Sequence, residues 1–288
     1  MTASTPALIS TSTLLSSRKF ALVTGAGSGL GRSFCLRLAR DGWHVGVTDI
    51  DLAAAEKTLA TLVAASGSGE ALHLDVTDAF GWQNLLQQLQ REWPQLDLLI
   101  NNAGICGAGE IGEAPLEDFQ TVFDVNFQGV LNGCHAMVPW MKETAPGGQI
   151  VNVASIFGLV APPTMAAYNV SKAAVVALSE TLYGELLPHG IGVTLVAPGF
   201  FASQLVARGR FATAEQQQDA RRYVANAEIS ADKVVAQTLT AIERNKLYVV
   251  LGRRARWIWR LKRWLPSWFA KILVWKHNRN LRKIRAND

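Results

Sequence analysis

Cysteine is scarce in this chain: Cys35, Cys106 and Cys134 are the only three in 288 residues. They are too few and too scattered for a disulfide framework, so a reducing, cytoplasmic setting is expected. No CxxC or HExxH spacing occurs, and His73 and His135 have no acid or second histidine to suggest a ligand set, so no metal site is expected. The first seventeen residues carry no charge at all. Neither a secretory signal, which needs a basic start and a longer apolar run, nor a mitochondrial presequence, which needs arginines, is expected. Residues 1–18 therefore read as a disordered leader. Unbroken apolar spans are missing too. The uncharged stretches Thr144 to Ser171 and Leu186 to Ala207 are interrupted by Pro162-Pro163 and Pro198-Gly199, which suits buried strands and their loops better than a membrane crossing.

With 49% hydrophobic and 18% charged residues, the chain can bury a sizeable core. Its formal charge of +5 is an uneven average. From Lys246 onward thirteen Lys/Arg face the single acid Asp288, giving +12, and the preceding body carries −7.

Phe20 to Thr24 is a short apolar run of the kind a buried parallel strand shows. It opens into Thr24-Gly25-Ala-Gly27-Ser28-Gly29-Leu30-Gly31 and then an amphipathic helix over Arg32 to Arg40. Glycines between a strand and a helix let the backbone approach a diphosphate, whose charge meets the helix N-terminus. The spacing is TGxxxGxG rather than GxGxxG. A second strand, Val45 to Asp49, ends in an acid able to accept from an adenosine ribose hydroxyl and to repel a 2′-phosphate. With no base at Ser28 or Ile50, NAD is expected over NADP. The competing reading has Asp49 capping a helix that begins near Leu52.

Strand and helix patterns continue to alternate: strand Ala71 to Asp75, helix Ala79 to Trp93, strand Leu96 to Ile100 closing on Asn101-Asn102-Ala103-Gly104. Helices over Leu116 to Met141, a strand Gln149 to Ala154, a helix carrying Tyr168, a strand Ile191 to Ala197, a helix Ala231 to Arg244 and a strand Tyr248 to Leu251 follow. This predicts an α/β fold: one Rossmann-like, doubly wound parallel sheet over residues 19–252, with a helical extension over 253–288.

Ser155 and Tyr168-Asn-Val-Ser-Lys172 carry the chemistry. Four residues apart on a helix, Tyr168 and Lys172 share one face, and Ser155 arrives from the end of the preceding strand. A phenol with a pKa of about 10 is a poor base at neutral pH unless a cation stabilises its anion. Lys172 is placed for that, and Ser155 can donate to a substrate oxygen as charge develops. A Tyr and a Lys at this spacing also occur together by accident on helix surfaces.

Taken in order, these residues resemble the short-chain dehydrogenase/reductase family, over about Phe20 to Leu251. The signatures are TGxxxGxG at Thr24 to Gly31, Asp75 after the third strand, NNAG at Asn101 to Gly104, Ser155 with YxxxK at Tyr168 and Lys172, and Pro198-Gly199. The resemblance implies that Asn126 holds a water in a proton relay and that Asp75 and Val76 contact adenine. It further implies that Asn102, Ala103 and Gly104 lie along the cofactor and that Lys172 also holds the nicotinamide ribose. Ser203 stands where the family usually has a Thr gripping the carboxamide.

An NAD-dependent oxidoreductase acting on a lipophilic alcohol or ketone is the leading expectation, with a steroid, retinoid or long-chain alcohol as the substrate class. The competing readings are a 3-oxoacyl reductase, which NADP preference would favour, and a non-catalytic cofactor sensor or membrane scaffold. A homo-oligomer is expected. In the tail, Trp257, Leu261, Trp264, Leu265, Trp268, Ile272 and Trp275 fall on one side of a helix interrupted at Pro266, among Lys and Arg. That pattern suits an anionic membrane surface. A lid or subunit contact competes with it. Nucleic acid is not expected as a partner, since the body is acidic and holds no motif for it.

Overall fold

The computed structural model describes residues 18–199, 205–225 and 229–285. All but the last residue of the leader expected over 1–18 lie outside the described residues, as do Phe200 and Phe201, expected from the sequence to wall the substrate pocket, and Ser203.

The apolar runs become strands β1 (Phe20–Thr24), β2 (His44–Asp49), β3 (Ser68–His73), β4 (Leu98–Asn101), β5 (Gly107–Ala108), β6 (Gln149–Val153), β7 (Gly192–Ala197), β8 (Arg210–Phe211) and β9 (Tyr248–Val250). Seven form one parallel sheet in the order β3-β2-β1-β4-β6-β7-β9. Every residue of β1 and β7 is buried, which is why these strands read as continuous apolar runs rather than alternating ones. The helices are α1 (Gly29–Arg40), α2 (Leu52–Ala64), α3 (Ala79–Glu92), α4 (Leu116–Phe123), α5 (Gly129–Thr144), α6 (Ile156–Val160), α7 (Ala166–Leu186), α8 (Ala214–Ala225), α9 (Ala231–Glu243), α10 (Arg253–Trp264) and α11 (Pro266–Arg285). A π-helical turn, Asp124–Gln128, joins α4 to α5.

Two cores sandwich the sheet. On one face Trp82, Leu89, Met137, Trp140, Val175 and Leu182 bring in α3, α5 and α7. On the other, Phe34, Leu38, Leu62, Val234 and Val235 bring in α1, α2 and α9. Strand β1 pairs with both β2 and β4, so the winding reverses beside β1. In an open α/β sheet the crevice at that reversal, beyond the carboxyl ends of the strands, is where a ligand fits.

Three local differences from the sequence expectation matter. Strand β3 covers 68–73 rather than 71–75, because backbone pairing with β2 from His44 to Asp49 sets its register. The stretch after Ser155, expected as a loop, contains the five-residue α6. Finally, β5 and β8 pair in parallel outside the main sheet, tying the chain after Gly104 to the chain after Gly199.

Candidate functional site

The glycine turn closes onto the NNAG segment through Thr24. Its hydroxyl accepts the amides of Asn102 and Ala103, each at 3.0 Å, and the Asn102 side chain donates back to the carbonyl of Thr24 at 2.9 Å. Gly25 sits at φ +61°, and a Cβ there would lie 2.8 Å from the Cα of Ala103. Any side chain would therefore force the two segments apart. Ser28 precedes α1 in an extended conformation without a side-chain cap, which leaves the opening amides of that helix for a ligand. Leu30 and Gly31 are buried in its first turn, behind Gly29.

Asp49 ends β2 and is buried. Its Oδ2 accepts the amide of Gly27 at 2.9 Å and its Oδ1 the amide of Asp51 at 3.0 Å. The helix cap is Asp51, whose side chain accepts from Ala54, so the capping alternative for Asp49 is replaced by its neighbour. Ile50 points outward and is half exposed. Unforeseen in the sequence is Arg208, whose guanidinium approaches Asp49 at 3.6 Å and Asp51 at 3.5 Å from the far side of the crevice. It follows Asp49 by 159 positions, so no local pattern could have revealed it.

Beyond β3, Asp75 accepts both the amide and the hydroxyl of Thr77, and the Val76 carbonyl accepts from Trp82 and Asn132. This fixes the wall opposite α1. The donor set of the glycine turn, the uncapped helix start and the carboxylate ending β2 fit a dinucleotide.

The second cluster stands at the ends of β4, β6 and β7. Ser155 leaves β6 and caps α6, its oxygen accepting the Phe157 amide at 3.2 Å, and the next amide, Ile156, donates to the Pro198 carbonyl at 2.9 Å. Pro198-Gly199 is thereby tied to Ser155. Tyr168 lies two residues inside α7, 6% exposed, with Phe157 edge-on at 6.3 Å. Lys172, one turn on and 2% exposed, donates to the Val153 carbonyl at 2.9 Å, and its ammonium lies 5.9 Å from the centre of the Tyr168 ring. Asn126, fully buried in the π-helical turn, exchanges hydrogen bonds with the backbone of Ile105 and donates to Ser171. Its side-chain amide is thus taken up by protein groups.

A Cβ on Gly104 would come within 2.9 Å of Asn126 Oδ1 and 3.3 Å of Lys172 Nζ. The NNAG segment therefore passes directly over both. Burial pushes the Tyr168 phenol well above its ordinary range, Cys106 nearby adds to this, and a hydrogen bond with Ser155 pulls it back. The lowering expected from Lys172 is not found: burial dominates, and the one opposing influence is Ser155. Burial also pushes Lys172 down to about 8. An apolar pocket next to this cluster is walled by Gly107, Gly109, Phe119, Val122, Ala166 and Ala167, with Glu110 and Arg210 on its lining as well.

The family model of short chain dehydrogenases matches residues 19–213. The chain belongs to this family. A probable oxidoreductase EphD of Mycobacterium tuberculosis strain H37Rv is 35% identical over 253 residues, which cover 85% of this chain and 43% of that protein. The chain thus spans less than half the length of that relative. A cyclopentanol dehydrogenase of Comamonas testosteroni is 35% identical over 187 residues, 65% of this chain and 74% of that one. Among solved structures, a short-chain dehydrogenase/reductase of Burkholderia phymatum in complex with NAD is similar at a TM-score of 0.81 and 31% identity, covering 85% of this chain and 93% of that one. Similar solved members of the family carry NAD or NADPH. As a member of this family, the chain has a Rossmann-like fold.

Proposed function

We propose that this short-chain dehydrogenase interconverts a primary or secondary alcohol and its aldehyde or ketone, on a lipophilic substrate and with NAD as the preferred cofactor. The observation that carries the reading is the convergence at Gly104: Asn126 and Lys172 both lie within reach of a Cβ there, beside Tyr168 and Ser155, on a segment fastened to the glycine turn.

The nicotinamide supplies or accepts the hydride. Thr24 to Gly31 would hold the diphosphate, Asp49 would receive the adenosine ribose hydroxyls, Asp75 and Val76 would meet the adenine, and Lys172 would hold the second ribose. The amides of Ala103 and Gly104 would run alongside, with Pro198-Gly199 towards the carboxamide end. Ser155 donates to the substrate oxygen and Tyr168 exchanges its proton with that oxygen. With its pKa raised by burial, Tyr168 rests as the neutral acid at neutral pH, the form that protonates a carbonyl. Asn126, its amide occupied by Ile105 and Ser171, orders the π-helical turn beside which a relay water would sit.

NAD is favoured because the Asp49 carboxylate ending β2 would accept from a ribose hydroxyl and repel a 2′-phosphate. A lipophilic substrate is favoured by the apolar pocket wall and by Phe157 against Tyr168. The cyclopentanol dehydrogenase among the relatives supports an alcohol as substrate. A reducing, cytoplasmic setting accords with three buried free thiols. A panel of hydrophobic alcohols and ketones with NAD and NADP, followed by the absorbance of the reduced nicotinamide, tests the proposal. Turnover that is absent across the panel, or that prefers NADP, would defeat it.

A further inference from the structure

The tail helices α10 and α11 have two apolar faces rather than the one the sequence suggested. Ala255, Ile258, Trp259, Phe269 and Leu273 turn inward onto Ile156, Leu159, Val160, Tyr248 and Val250, beside Ser155. Ile272 is half-buried as well. Away from that packing each helix keeps two indoles in solvent: Trp257 is 67% exposed and Trp264 84%, Trp268 53% and Trp275 58%. Each helix carries two of them seven residues apart, two turns on, so each pair shares a side of its helix. Arg260 stacks over Trp257 at 5.8 Å and Arg279 over Trp275 at 5.4 Å. From Arg253 to Asn287 there are twelve Lys/Arg and no acid. The inner face is already satisfied by the protein's own core. The outer indoles are not, and exposed apolar groups of this extent rimmed by charge mark an interaction surface.

We infer that this outer face docks on an anionic lipid bilayer. Indoles settle at the boundary of headgroup and acyl chain, where the ring is buried and its N–H stays wet, and Lys/Arg beside them meet lipid phosphates and carboxylates. A second copy of the chain is a poor occupant, because a two-fold contact would set this basic face against itself. Docking is along the surface: no helix among the described residues is long and apolar enough to cross a membrane. The orientation follows from His277 on α11, whose Nε2 lies 3.6 Å from Glu110. Glu110 lines the apolar pocket together with Gly109 and Ala166. A docked tail therefore holds the pocket against the bilayer, which suits a substrate dissolved in lipid; this last step rests on the lipophilic substrate proposed above.

Vesicle sedimentation of the full chain tests the docking without any need for turnover. Two vesicle compositions, phosphatidylcholine alone and phosphatidylcholine with phosphatidylglycerol, are compared with the wild type and with the variant Trp257→Ser/Trp264→Ser/Trp268→Ser/Trp275→Ser, whose inner face is untouched. The wild type should pellet with the anionic vesicles only, show a blue-shifted tryptophan emission on binding, and be released by salt. The variant, with an unchanged circular dichroism spectrum, should bind at least about tenfold more weakly. The inference is overturned if the wild type stays in the supernatant, or if the folded variant pellets equally. It is also overturned if the four substitutions instead abolish self-association, or binding to a DNA oligonucleotide, in vesicle-free solution. A chain that binds vesicles but turns over no alcohol leaves the docking standing and defeats only the substrate reading.

Discussion

Substituting Lys172 with Met should change how stability depends on pH, in a way set by burial alone. The ammonium is 2% exposed, makes its hydrogen bond to Val153, and has a pKa pushed from 10.5 down to about 8. At about 1.4 kcal/mol per pKa unit, keeping that charge buried costs the fold about 3 kcal/mol near neutral pH. Because the folded pKa lies below the unfolded one, the folded chain releases this proton first. Its contribution to stability is lowest below about pH 8, climbs between about 8 and 10.5 while only the unfolded chain holds the proton, and then levels off. Methionine fills a similar volume and does not titrate. Urea unfolding of the cofactor-free wild type and of Lys172→Met, at about pH 7 and about pH 9.5, should show the difference moving by about 2 kcal/mol towards the wild type. The buried thiols and Tyr168, whose pKa values are raised, titrate in the opposite sense in both proteins and largely cancel in the subtraction. A difference that stays flat across this range would refute the buried-charge account of Lys172.

Tyr168→Phe should lower turnover by about a hundredfold or more and leave cofactor affinity within about twofold, as read by steady-state rates and cofactor fluorescence titration. Since burial raises the phenol's pKa, alcohol oxidation by the wild type should accelerate as pH climbs through the alkaline range. Carbonyl reduction should hold steady there, and a pH-rate profile of kcat/KM in each direction reads both. Arg208→Ala removes the cation facing Asp49 and Asp51, so preference for NAD over NADP in kcat/KM should increase by up to about tenfold. Burial pushes Cys106 up to about 11 and Cys134 up to about 12, and raises Cys35 further still. A chromogenic disulfide reagent at about pH 8 should therefore label none of the three thiols in the folded chain and all three in urea.

Most of the sheet was legible because buried parallel strands leave an unmistakable trace: Phe20 to Thr24 and Gly192 to Ala197 are shielded on both faces, so little polarity interrupts them. The four-residue step from Tyr168 to Lys172 was equally readable, since it needs only a helix to bring the pair onto one face. What escaped was whatever depended on remote partners or on too few residues. Helix α6 is five residues long and cannot show a period. Ser68 and Gly69 became strand through pairing with β2, despite a composition that says turn. Arg208 meets Asp49 only because β8 pairs with β5 and brings its loop across the crevice. The tail's apolar residues were read as one stripe because sequence spacing cannot say which indoles the body itself will cover.

The packing of Phe269 against Ile156, Leu159 and Val160 also bears on how this protein can be handled. Burying one such ring contributes on the order of 2 kcal/mol, and the residues it shields form the helix that Ser155 starts. A fragment trimmed after Gly252 to improve handling would bare that helix and set the serine adrift. Its inactivity would then report a damaged floor beneath the reacting groups, whatever the trimmed segment does at a bilayer.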